Sequence, residues 1–371
     1  MERLSERHRR SVSGAFQTTV EAYDASGDVD STFNGGQPLN LFQVVEDSLP
    51  STLTLSTVTG LDTLVDSQDR VLIPLNIVLR DSEGNFLNDR WAIRLTRGGE
   101  VDSSYGDQGI FRFSNQLTDR PDVYNVDGSG RLIGTDGRFV VRLSESGELD
   151  ASFGDNGVVT LNRPSPDVSA GKLDAKDDGS LVVFASRRFS REGDSGYILK
   201  LNEDGSADGQ FGDNGVAVVP RALFSLQSSF AENYDELTLD AQGRIYITGS
   251  RSILRYTADG QLDSTFGGHG LAKVPDRLLS DGVLFQSNIE SGPVIDSAGR
   301  VIVAVDVGFI RFDVFGQFDP TFSGDGLAAY FDVGDLTSFE VSELQIDSSG
   351  RLFSAIRTIR DPAIAVWRFV S

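Results

Sequence analysis

The chain carries little of the machinery used in nucleophilic or metal-assisted catalysis. Its 371 residues include two histidines, His8 and His269, and no cysteine. A Ser–His–Asp arrangement would have to recruit one of these, and neither lies near a G-x-S-x-G elbow. His8 sits in a charged N-terminal stretch, and His269 fills a loop position occupied by Gln, Asn or Asp in related segments. A histidine-rich zinc site lacks ligands, and no glycine-rich phosphate loop ends in lysine. Carboxylates, in contrast, are abundant: 55 acidic residues face 33 basic ones, for a formal charge of -22. Paired carboxylates can cleave glycosidic bonds, and oxygen-rich loops can hold calcium. The candidate calcium loops are NEDGSADGQFGDNG (202–215) and FSGDG (322–326). Neither has EF-hand spacing, and turn-forming Asp is the plainer reading. No cofactor is expected beyond this weak calcium option.

These residues must be positioned by a repeat. Six copies of one motif occur: GDVDSTFNGG (27–36), GEVDSSYGDQG (99–109), GELDASFGDNG (147–157), GSADGQFGDNG (205–215), GQLDSTFGGHG (260–270) and GQFDPTFSGDG (316–326). Their aromatic anchors Phe33, Tyr105, Phe153, Phe211, Phe266 and Phe322 are spaced by 72, 48, 58, 55 and 56 residues. Between them recurs D-x-x-G-R, beginning at Asp66, Asp127, Asp240, Asp296 and Asp347, with Asp69 replacing the glycine in the first copy. Short runs such as WAIRL (91–95), FVVRL (139–143) and FIRF (309–312) precede the motif. The best-defined unit has four strand candidates: GVAVV (215–219), DELTL (235–239), RIYIT (244–248) and SILRY (252–256). Repeated four-stranded units at this period predict an all-β fold, a β-propeller of about six antiparallel blades. An incomplete N-terminal unit around residues 18–33 leaves seven blades as the alternative. Residues 1–17 read as a flexible charged tail and 18–371 as one propeller domain. In the D-x-x-G-R turn the Asp is expected to accept backbone N–H bonds while the Gly takes a positive φ. The motif aromatic is expected to be an inter-blade anchor.

The pattern G-x-L-D-x-x-F-G-x-x-G, following an R-L or R-Y strand and D-x-x-G-R, resembles the bacterial delta-60 repeat family. YTADGQLDSTFGGHG (256–270) carries the likeness best, and the likeness extends over about residues 18–369. It implies propeller-like repeats, often in exported or surface-associated bacterial proteins, and assigns no catalytic residue. Extracellular or cell-surface location is therefore the expectation. The start of the chain has no apolar core of a secretory signal, so a cytoplasmic location stays open.

The acidic surface repels nucleic acid and anionic membranes, and no apolar run is long enough to span a bilayer. Where the repeat breaks, function is expected. VPRALFSLQSSFAENYDE (219–236) and VPDRLLSDGVLFQSNIES (274–291) are similar insertions in successive units. Arg221, Leu223, Phe224, Phe230, Arg277, Leu278 and Phe285 are the candidate binding residues. An extended hairpin at 77–95 adds Arg80, Arg90 and Arg94 as basic spots. The leading expectation is a non-catalytic binding or assembly module, not an enzyme, that recognises a protein or glycan partner through these loops. The alternative is a carboxylate-based glycosidase or lyase with its site at the central channel.

Overall fold

The structure is a computed structural model. It describes the chain except residues 1–2, 11–15, 24–29, 118–119, 165–168, 177, 187–195, 221–233, 250, 275–276, 281–282, 287, 306–307, 320, 324–326, 330–338, 347–351, 359–363 and 370–371. The fold is all-β, a propeller architecture of roughly six blades, mostly four-stranded and antiparallel. Two compact units divide it. The first holds residues 1–162, 175–181 and 201–206, and the second holds 163–174, 182–200 and 207–371.

In the first unit, blade 1 pairs Thr54–Gly60, Val71–Arg80, Phe86–Leu95 and Ile110–Arg112, with Leu64–Val65 paired beside them. Blade 2 pairs Val123–Val126, Leu132–Thr135, Phe139–Arg142 and Val158–Thr160. A three-stranded sheet precedes them, made of Arg3–Arg10, Phe16–Tyr23 and Leu39–Asn40. The half-unit around residues 18–24 thus does have strand partners, one of them from the segment read as a tail.

The second unit holds most of blade 3 (Ser169–Ala175, Leu181–Ser186, Gly196–Leu201, Val216–Val219). Blade 4 follows with Tyr234–Leu239, Ile245–Gly249, Ser252–Tyr256 and Leu271–Lys273. Blade 5 is Ile289–Ile295, Val301–Val305, Gly308–Phe312 and Leu327–Ala329. Blade 6 is Phe339–Ile346, Leu352–Thr358 and Ile364–Phe369. A hairpin of Arg277–Ser280 and Val283–Gln286 stands between blades 4 and 5.

The middle strands are buried at every position in Ile245–Gly249, Ser252–Tyr256, Val301–Val305 and Gly308–Phe312. A strand covered on both faces needs a continuous apolar run rather than alternation, which is why VIVAV and GFIRF read as they do. The core therefore lies between blades. One layer joins Val182, Phe184 and Ile198 of blade 3 to Ile245, Ile247 and Leu254 of blade 4. Another joins Tyr246 and Ile253 to Val301, Val303 and Ile310 of blade 5.

The repeated motif fastens successive blades from 1 to 5. In blade 4, Arg255 Nε donates to Asp263 Oδ2 at 2.8 Å and its Nη2 to Thr265 Oγ1 at 3.0 Å. The guanidinium lies over the Phe266 ring at 4.4 Å, a cation–π geometry. Its Nη1 reaches forward to the Val314 carbonyl of blade 5 at 2.7 Å. Gly267 N–H donates to the Phe315 carbonyl at 2.6 Å. Gly316 then sits on the Phe266 ring so closely that a Cβ there would fall 2.9 Å from it. The same arrangement occurs at Arg94–Asp102–Tyr105, Arg142–Asp150–Phe153 and Arg311–Asp319–Phe322. Lys200–Asp208–Phe211 is the lysine version. Arg94, read as a basic surface spot, is instead buried in this clamp. Arg80 lies over Phe86 at 4.5 Å, and Arg90 pairs with Asp122 at 3.0 Å.

The D-x-x-G-R turns at Asp66, Asp127, Asp240 and Asp296 form as expected, and the Asp347 copy lies outside the described residues. Asp240 Oδ1 accepts N–H bonds from Gln242 and Arg244, at 3.0 and 2.9 Å. Gly243 has φ +76°, and Asp69 takes φ +59° in the copy without glycine.

Truncating Phe266 to Ala should cost roughly 3–5 kcal/mol in equilibrium urea unfolding, the range for a buried Phe. Phe315→Ala, at a 60% exposed position, should change stability by about 0.5 kcal/mol or less. Equal effects of the two would show that the aromatic is not the blade anchor.

Candidate functional site

The described motif carboxylates are already committed to the scaffold. In the clamps, Asp102, Asp150, Asp263 and Asp319 are held below the ordinary carboxylate range. Burial alone would push each of them up. The hydroxyl and N–H of the Ser or Thr two residues later, with the paired Arg, outweigh it. Asp208 is lowered first by its hydrogen bond to Lys200, against a smaller opposing effect of burial. Burial raises Tyr105, whose ring takes the place of the clamp phenylalanine. His269 has φ +58°, matching Gln108, Asn156 and Asn214 at the same motif position, so it serves the turn.

The candidate calcium loop 202–215 is likewise used internally. Asp204 Oδ1 accepts from Ser206 N and Oγ at 2.9 and 2.6 Å, and Asp208 pairs with Lys200 at 2.9 Å. Among the described residues, no group of three or more His, Cys, Asp or Glu side chains is arranged to hold a metal ion. Residues 324–326 of the other loop lie outside the described residues.

Of the candidate binding residues, Arg221, Leu223, Phe224 and Phe230 lie outside the described residues. Arg277 and Leu278 are on one strand of the inter-blade hairpin and Phe285 on the other, with Leu278 and Phe285 as cross-strand partners.

A different set comes together on the first strands of the second unit. Lys172 and Asp174 are two residues apart on blade 3, so they share one face of the strand. Lys172 Nζ lies 3.1 Å from Glu236 Oε2 on the first strand of blade 4. Both side chains of that pair are about two-fifths exposed, at 42% and 36%. Asp174 Oδ2 accepts from Leu239 N–H at 3.3 Å, which fastens it to the same neighbouring strand. Thr238 Oγ1 in turn donates to the Pro293 carbonyl of blade 5 at 3.1 Å. Two carboxylates and one ammonium thus sit on adjacent first strands, outside every clamp and D-x-x-G-R turn. Such a set can exchange protons with a bound substrate and hold a developing charge. Sequence reasoning missed it because DELTL and GKLDA are unremarkable strand segments, and nothing in either motif marks them.

A polar cluster in the first unit has a structural role. Asp89 accepts from Trp91 Nε1 at 2.9 Å, Ser114 Oγ at 2.7 Å and Arg90 N–H at 2.7 Å. Three donors on one buried carboxylate secure the hairpin to the segment that follows it.

Comparison with known proteins bears on the fold. Residues 242–266 match the family model described as a domain of unknown function (DUF5122) beta-propeller. No curated protein matches. Solved structures do. The gluconolactonase XC5397 from Xanthomonas campestris is 16% identical, with 82% of this chain and 93% of that one covered, at a TM-score of 0.36. A neuraminidase-like protein of a flat-faced bat isolate is 12% identical, covering 82% and 84%, at 0.39. Prolyl oligopeptidase B from Galerina marginata is 8% identical, covering 99% and 48%, at 0.48. These are likenesses of architecture. The expectation of a non-catalytic binding or assembly module and the leaning against enzymatic activity are withdrawn, while these likenesses assign no activity to this chain. A blade repeat by itself neither requires nor excludes catalysis. None of these descriptions names a delta-60 repeat or a protein-binding role, and both are set aside as descriptions of this chain. No helix among the described residues is long and apolar enough to cross a membrane.

The lowered clamp aspartates give stability a defined pH dependence. A carboxyl whose pKa is lower folded than unfolded stabilises the protein above its unfolded value, about pH 4. That contribution is lost as pH falls through the folded value. Asp263→Asn should therefore lower the thermal midpoint most at pH 7, and its gap to the parent should narrow towards pH 3. A gap that stays constant over this range would contradict the assignment.

Proposed function

We propose that the chain is a carboxylate-based enzyme acting on a small-molecule or glycan substrate, with Glu236 and Asp174 as its reacting acids. One observation carries the reading: the Lys172–Glu236 pair at 3.1 Å links the first strands of adjacent blades, and Asp174, on the same strand as Lys172, bonds the strand that bears Glu236. Glu236, held by an ammonium, is the base that takes a proton from water or supports positive charge on the reacting carbon. Asp174 is the acid that protonates the departing oxygen. Lys172 orients Glu236 and attracts an electron-rich oxygen of the substrate. This division of labour between two carboxylates in unlike surroundings is the general logic of glycoside hydrolysis. A sugar lactone presents a comparable carbon–oxygen bond to the same groups. The scarcity of histidine and the absence of cysteine leave carboxylates as the groups best placed for this work.

The test is a hydrolysis screen over sugar lactones and aryl glycosides with the parent, Glu236→Gln and Asp174→Asn. Loss of a positioned acid or base should lower kcat by roughly 10²–10⁴-fold while the thermal midpoint moves little. A parent inactive across the panel, or variants that retain its full rate, would overturn the reading.

A further inference from the structure

The first strand of blade 5 contains a glycine that its own backbone does not require. Most of the chain's tightly packed glycines have a positive φ, as in Gly260 at +83° and Gly316 at +73°. Gly292 is not among the positive-φ residues, so an L side chain meets no backbone strain there. Space is the constraint. A Cβ on Gly292 would fall 3.0 Å from Glu236 Cβ, 3.0 Å from Cγ and 3.1 Å from Oε2. Oε2 is the same oxygen that faces Lys172 Nζ.

The local backbone explains how Gly292 comes so close. The register of Ile289–Ile295 against Val301–Val305 shifts between Ser291 and Val294. Gly292 and Pro293 together oppose one residue, a β-bulge that bends the strand. Proline is tolerated at such a bulge because it has no N–H to give the ladder. The Pro293 carbonyl accepts from Thr238 Oγ1 at 3.1 Å, which pins the bulge against the strand bearing Glu236.

We infer that Gly292 is a positioning residue for Glu236: its missing Cβ leaves the space in which the Glu236 carboxylate extends to Lys172. This rests on the reading of Glu236 as a reacting acid. A methyl group at 292 requires its neighbours to give by a few tenths of an ångström; Thr238 holds the bulge, so the Glu236 stem is the side that gives. The Glu236 carboxylate then shifts relative to Lys172 Nζ. A misplacement of about 1 Å can cost on the order of 100-fold in rate.

The experiment follows the Glu236 carboxyl carbon by NMR in the full chain, using Lys172→Met as the perturbation. In the parent, Lys172→Met should shift the Glu236 resonance. In a Gly292→Ala background that response should vanish, and kcat on any substrate found should fall roughly 100-fold with little change in KM. In Gly292→Ala/Glu236→Gly the opposing Cβ, Cγ and Oε2 are all removed, so the double variant provides a folded comparison even if Gly292→Ala alone folds poorly. Adding Gly292→Ala to Glu236→Gly should not lower the thermal midpoint further. An undiminished response to Lys172→Met in Gly292→Ala, or an equal loss of thermal midpoint from Gly292→Ala in the Glu236→Gly background, would overturn the inference. The resonance readout needs no substrate. Failure to find activity thus refutes the catalytic reading alone, whereas an unchanged resonance response refutes the positioning.

Discussion

The structure depends on one repeated contact: a buried cation held by an aspartate eight residues later and roofed by the aromatic three residues beyond that. Arg255, Asp263 and Phe266 show it most fully, with ion pair, hydroxyl bond, ring contact and a forward bond to the Val314 carbonyl. Each component supports another. The aspartate and a backbone carbonyl satisfy the guanidinium, which makes its burial tolerable. The ring supplies an apolar face on which the next turn rests, and only a glycine at positive φ fits there, as Gly316 does. The middle strands of blades 4 and 5 are buried along their whole length, and the clamp adds directional bonds to that apolar packing.

That contact also decides where chemistry can occur. An acidic chain with a charge of -22 carries carboxylates along its whole length. The motif aspartates are bound by their own Arg and Ser or Thr partners, and those of the D-x-x-G-R turns by backbone N–H groups. Asp89 is taken by three donors. On the first strands of blades 3 and 4, Lys172, Asp174 and Glu236 belong to no repeated device. His269 lies in a left-handed turn position. The scaffold is specified by what the repeats share, and the candidate site by what they do not.

Much of the fold was legible because its devices are periodic. The six aromatic anchors are all buried, from Phe33 to Phe322, and the aspartates of the four described D-x-x-G-R turns accept the N–H bonds that the turn chemistry requires. The cation of the clamp was less legible. Arg94, Arg142, Lys200, Arg255 and Arg311 each precede a motif Asp by eight residues, and that constant offset was the available signal. Read by itself, Arg94 looks like surface charge, since burial of a guanidinium makes sense only once its partner is known. The first-strand site left no such signal. Lys172 and Glu236 are 64 residues apart in sequence, and their meeting depends on how two blades are seated. Gly292 is equally silent, because a glycine required by a neighbour's side chain looks like any other.

The central claim is that the clamp seats each blade on the next and so fixes the strands that carry the candidate site. Backbone hydrogen exchange at the inter-blade donors Gly106, Gly154, Gly212 and Gly267 measures this directly, because each gives its N–H to a carbonyl of the following blade, at 2.7, 2.9, 2.7 and 2.6 Å. These amides lie in turns, where exchange is ordinarily fast. The account predicts that they exchange as slowly as the buried middle strands, opening only with global unfolding. Exchange as fast as that of exposed turn amides would contradict it.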